Sequence, residues 1–250
     1  MRTLKLAVIG FLAYSLLAVV VALARPLDWR TADRSSAMIA PTAAQERRAV
    51  VLLYSARAFS WRGWFSLHTW IAVKEKDASS YRVLQVIGWR LRQGLSAVAD
   101  GPDLPDRRWF GNEPTLLFEL RGEKAEAAIV KIRQAAAEYP YPYTYRAWPG
   151  PNSNTFISHI LRSVPEIGVA LPPNAIGRDW LVHGRLFSRS ESGTGFQVSL
   201  LGLAGLTLGV RDGVEVQLLA LCFGVDLLRP ALKLPIIGRV GMSAASLRPS

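Results

Sequence analysis

At 250 residues with half of them apolar, the chain is long enough for one ordinary domain plus a further segment, and too short for two large domains. Ten per cent aromatic and twenty per cent charged residues exclude a disordered chain, and thirty Lys+Arg against nineteen Asp+Glu leave a net charge of +11. The single cysteine, Cys222, excludes an intramolecular disulfide framework, a cysteine-ligated zinc centre and a CxxC redox pair, while three scattered histidines leave little for a histidine-rich metal site.

Residues 1–5 form a short basic N-terminus. Residues 6–24 carry no charge. At ~1.5 Å rise per residue they would reach about 28 Å as a helix, close to a ~30 Å hydrocarbon core. This length predicts a transmembrane anchor; a cleaved signal segment is the alternative, with Ala22-Leu23-Ala24 as a small-residue cleavage pattern. The anchor implies a single-pass inner-membrane protein whose bulk is periplasmic. Residues 25–45 read as a linker, 46–240 as a single α+β domain and 241–250 as a tail.

Within the domain, 47–59, 63–76 and 81–91 are β-branched, apolar runs that predict strands, with a turn at 77–80. Residues 101–106 read as a loop and 115–122 as a fourth strand. Residues 123–139 contain strong helix formers, and Ala125, Ile129, Ile132 and Ala136 recur at helical steps until Pro140 and Pro142 stop them. This is an α+β pattern with an antiparallel sheet and packed helices. Further on, the apolar runs 196–210 and 214–227 flank Arg211-Asp212-Gly213. Each is too short to span a bilayer as a helix, so they predict an apolar β-hairpin, buried in the core or resting one face on lipid or a partner.

Phe156, Ile157, Ile160, Leu161 and Val164 fall at helical spacing, so a helix starts near Asn152–Ser153 and stops before Pro165. Asn152, Ser153 or Asn154 is expected as its N-cap, because a short polar side chain satisfies a free backbone N–H there. The same position gives Ser153 a second reading as a nucleophile, since a helix N-terminus can stabilise an oxyanion. No HExxH, P-loop, GxSxG or calcium-loop pattern is present, and neither a metal nor a cofactor is expected. The run 139–148, rich in Tyr and Pro, reads as an extended segment packing its rings on the domain. The positive charge is scattered rather than in a block, so nucleic acid is not an expected partner. Membrane lipid or an acidic envelope polymer accounts for it more economically, and nothing indicates an oligomeric state.

The segment AWPGPNSNTFISHILR (147–162), followed by LPPNAIGRDWL (171–181), resembles a bacterial family catalogued as domain-of-unknown-function family 3750, and nearly all of 45–240 corresponds to it. A more distant resemblance links LHTWIAVK (67–74) and NSNTF (152–156) to the histidine strand and nucleophile helix of circularly permuted papain-like proteins. These include the NlpC-type hydrolases and the lecithin retinol acyltransferase relatives. It implies a permuted papain-like core with Ser153 in place of the family's cysteine and His68 as the base. Asn152, Asn154 and Trp148 would line the substrate. Gln85 is the candidate group to orient His68, because pairing 68–74 with 81–89 puts the two side by side; Glu75 is the alternative. Two functions are compatible with this: a hydrolase or acyltransferase acting on an amide or acyl group, or a non-catalytic protein binding an envelope ligand or partner.

Overall fold

Val50–Arg57 (β1) is apolar on both faces, and its first seven residues are buried, as a central strand requires. The computed structural model describes residues 28–243 together with positions 9, 10, 13 and 14. β1 pairs with Leu67–Lys74 (β2) on one side and Thr115–Arg121 (β5) on the other. Arg82–Val86 (β3) and Val98–Pro102 (β4) complete an antiparallel sheet of order β4-β3-β2-β1-β5. The predicted third strand ends at Val86 because a 3-10 turn, Gly88–Gln93, follows, and β4 takes up part of the stretch read as a loop.

Side chains alternate along each strand, so this sheet has two different faces. Val51, Leu53, Ile71, Val73 and Leu84 pack against two helices, Glu123–Ala137 (α1) and Ser153–Ser163 (α2). Val50, Leu52, Tyr54, Trp70 and Val83 pack on the opposite side against Trp109 and Phe110. The stretch read as a linker is fastened over this second face: Asp106 accepts hydrogen bonds from Ser36 Oγ and from the backbone N–H of Ile39 and Ala40.

After α2 the chain builds a second antiparallel sheet, a meander of Phe187–Arg189 (β6), Gly195–Leu200 (β7), Ala204–Gly209 (β8), Gly213–Leu218 (β9), Leu221–Asp226 (β10), Ala231–Leu234 (β11) and Gly238–Gly241 (β12). The expected hairpin is therefore four strands. The Arg211-Asp212-Gly213 turn joins β8 to β9, but each flanking run also folds on itself, at Leu201-Gly202-Leu203 and at Leu219-Ala220.

The expected α+β fold with a papain-like core is overturned, since the described chain is mostly antiparallel sheet, twelve strands in two sheets, with few helices. The physical reason is local. The two segments that carried the papain-like resemblance do form a strand and a capped helix, but such a pair suits many folds, and the remaining C-terminal sequence pairs into a sheet. The single-pass inner-membrane placement is corrected as well. Among the described residues no helix is long and apolar enough to cross a membrane. The stretch 6–24 on which that placement rested lies, apart from four positions, outside the described residues.

Candidate functional site

The N-terminus of α2 is built around Asn152. Its side-chain oxygen accepts from Asn154 N (2.9 Å) and Thr155 N (3.2 Å), and Thr155 Oγ1 accepts from Asn152 N at 3.1 Å, which completes a reciprocal capping box. Asn152 Nδ2 donates to Ala147 O and Ile176 O, both at 3.1 Å, so the whole amide is used. Gly177 lies against that amide with φ +97°, and a Cβ there would sit 2.3 Å from Asn152 Nδ2, which is why this position has no side chain.

Asn154 extends the clamp to the sheet. Its Nδ2 donates to Leu67 O (3.0 Å) and Ile176 O (2.8 Å), and its Oδ1 accepts from Thr69 Oγ1 at 2.9 Å. The NSNTF segment thus ties α2, the start of β2 and the 174–177 loop together. Ser153, between these two asparagines, is 5% exposed and makes no side-chain hydrogen bond among the described residues. The Asn154 N–H, one of those a helix N-terminus would offer to an oxyanion, is already occupied by the cap.

His68 neighbours Thr69 on β2, and consecutive strand residues face opposite ways. Thr69 turns toward α2; His68 turns into the other face, where its ring stacks on Trp109 with centroids 3.6 Å apart and lies 5.8 Å from Trp70. Its Nε2 donates to Gln85 Oε1 at 3.0 Å, so the structure does bring His68 and Gln85 together. Burial in this aromatic cluster lowers the imidazole pKa to about 4, against the smaller upward pull of Gln85. No hydrogen bond joins His68 to Ser153: His68 is turned to the Trp109 side of the sheet, and α2 packs on the other side. Trp148 is elsewhere again: half exposed, it donates from Nε1 to Leu219 O (3.1 Å) at a turn of the second sheet. Glu75 pairs with Arg133 at the surface. Cys222 is buried, which pushes its thiol pKa up and leaves little thiolate.

A second polar centre lies between α2, the 171–181 segment and the inward face of the second sheet. Arg178, 2% exposed in its side chain, contacts Glu191 (2.9 Å) and Glu215 (3.1 Å), and Lys233 also pairs with Glu215. Arg178 Nη1 donates to Leu171 O at 2.8 Å, and Gln197 Nε2 donates to Asp179 Oδ1 at 2.7 Å. Burial outweighs the neighbouring arginines and raises Asp179 to about 6. No linear motif marked these residues. The signal available was the alternation of Gln197/Ser199 and Glu215/Gln217 with apolar neighbours. On the α1–α2 flank a cleft of about 310 Å³ is lined by Glu138, His159, Arg162, His183 and Arg185 among others. Among the described residues no three of His, Cys, Asp and Glu converge as a metal site.

The family described as "Protein of unknown function (DUF3750)" matches residues 48–180, just over half of the chain. The match takes in the first sheet, both helices and the Asn152 clamp, and stops before the second sheet. No curated protein and no solved structure matches.

Proposed function

The chain belongs to this family of unknown function, and on that premise we propose that it acts by binding a lipid or envelope ligand rather than by turning one over. One observation carries the reading. A serine hydroxyl is a weak nucleophile without a positioned base, and the histidine that would serve Ser153 is bonded to Gln85 inside an aromatic cluster across the sheet. Asn152 and Asn154 support it further, because every polar atom of their side chains is spent on the fold.

Labelling with a fluorophosphonate serine probe tests this directly. Wild type, Ser153→Ala and His68→Ala are expected to show the same background signal. Strong wild-type labelling lost in both variants, with both still folded, would establish an activated serine and overturn the binding reading.

A further inference from the structure

We propose that the outer face of the second sheet, with the turns at one of its ends, docks on an anionic lipid surface and enters a single leaflet. This deepens the binding reading by naming the chemistry of the partner.

The sheet is inverted relative to ordinary burial. From β7 to β11, every position that registers on the outward face is Ala, Val, Leu or Phe, whereas the inward face carries Gln197, Ser199, Thr207, Glu215, Gln217 and Lys233. Phe196, Val198, Val216, Leu218, Phe223 and Val225 are all exposed. A contiguous apolar face across five strands marks an interaction surface.

The turns add direction. In a meander, alternate turns share an end. Those at one end are Leu200-Leu201-Gly202-Leu203, Leu218-Leu219-Ala220-Leu221 and Leu234-Pro235-Ile236-Ile237, without one polar side chain. Those at the other end carry Arg211 and Asp212, and Asp226 and Arg229. Leu201 (φ 50°), Leu219 (φ 52°) and Ile236 (φ 68°) hold left-handed backbone, where Gly or Asn is ordinary and a bulky side chain costs energy. Water gives no reason to place leucine there; a hydrocarbon phase does.

Charge selects the lipid. Among the described residues from Leu181 onward, the exposed charged side chains are Arg185, Arg189 and Arg211, while Glu191, Asp212, Glu215 and Asp226 are all buried. Trp148, held on the Leu219 turn, sits where an interfacial indole belongs. The strands have three to six residues, fewer than the roughly 9–11 needed to span a bilayer, so entry stops within one leaflet. A second copy stacked on the sheet would cover the face but leave the apolar turn tips in water. A single helix, about 10 Å across, would cover only about two strands.

The test is co-sedimentation of the full chain with vesicles of phosphatidylcholine alone or mixed equally with phosphatidylglycerol. Wild type is expected to pellet with the mixed vesicles, and less so at high salt. The double variant Leu201→Asn/Leu219→Asn places a residue that tolerates left-handed backbone at both tips, so it keeps the fold. It is expected to lose roughly tenfold or more in partitioning. Unchanged binding by the variant would overturn the proposal and assign attachment to residues 1–27, which it leaves intact. Failure of wild type to pellet would also overturn it. So would a vesicle-free dimer that the same variant dissociates, which would identify a second copy as the occupant. Fluorophosphonate labelling is independent of all these outcomes, so failure here and failure of the binding reading are told apart.

Discussion

In the five-stranded sheet the residues turned toward the helices are Val51, Leu53, Ile71 and Leu84, and the chain covers the opposite face as well. In the seven-stranded sheet the residues turned toward the rest of the protein are Gln197, Ser199, Glu215 and Gln217, and the apolar face is left open. The first sheet buries both faces of its strands, whereas the second buries only its polar face. The first is stabilised by removing apolar area from water, worth ~1.5–3 kcal/mol for a fully buried large side chain. The second is held to the 171–181 segment by desolvated ion pairs, whose net contribution is small because each charge loses its hydration. The apolar half of the second sheet stays exposed among the described residues, and the family match ends before this sheet begins.

The largest effect that would break this contrast is expected at Arg178. Arg178→Met leaves Glu191 and Glu215 as buried, poorly compensated anions and should cost about 3–5 kcal/mol. Leu53→Ala in the first sheet should cost a comparable ~2–5 kcal/mol by opening a cavity. Urea titration of both variants checks the pair; an Arg178→Met cost below about 1 kcal/mol would remove the ionic centre as what holds the second sheet to the 171–181 segment.

Acid should act on the two regions with opposite sign. His68 has a folded pKa lowered from 6.5 to about 4, so on acidification the unfolded chain binds the proton first. Its contribution is present above 6.5 and is lost as the pH falls toward 4, about 3 kcal/mol in all. Asp179 has a folded pKa raised from 3.8 to about 6, so its contribution is present below 3.8 and is lost as the pH rises through 6. Stability measured from pH 7 to 4 should therefore fall less in His68→Gln than in wild type, and fall more in Asp179→Asn. Parallel curves for all three proteins would refute both assignments.

The smallest effect separates the two readings of the NSNTF segment. Asn152→Ala should lose about 1–2 kcal/mol with its cap. Ser153→Ala, which removes no hydrogen bond, should stay within about 0.5 kcal/mol on thermal melting.

Much of the first region could be read in the sequence. The β-branched runs around Val50–Arg57 and Leu67–Lys74 are strands, and the 123–139 pattern is a helix, because their periods are local properties. The polar start of α2 was legible as a cap, although geometry alone selected Asn152. The adjacency of His68 and Gln85 was also legible, since it follows from pairing two neighbouring strands. The separation of His68 from Ser153 was not. It depends on which face of β2 the helix covers, and Thr69 rather than His68 turned out to meet Asn154. The turns inside 196–210 and 214–227 were missed because Leu201, Leu203, Leu219 and Ala220 carry no turn signal and Gly202 is one of three glycines in its run.

The sequence by itself determined the spacing: polar and apolar residues alternate through the C-terminal strands, and a helix begins at an asparagine-rich cap. Only the tertiary structure decided which half of that alternation faces inward. A period of two is symmetric between the faces of a strand, and the choice rests on contacts far apart in the chain, above all Arg178 with Glu191 and Glu215.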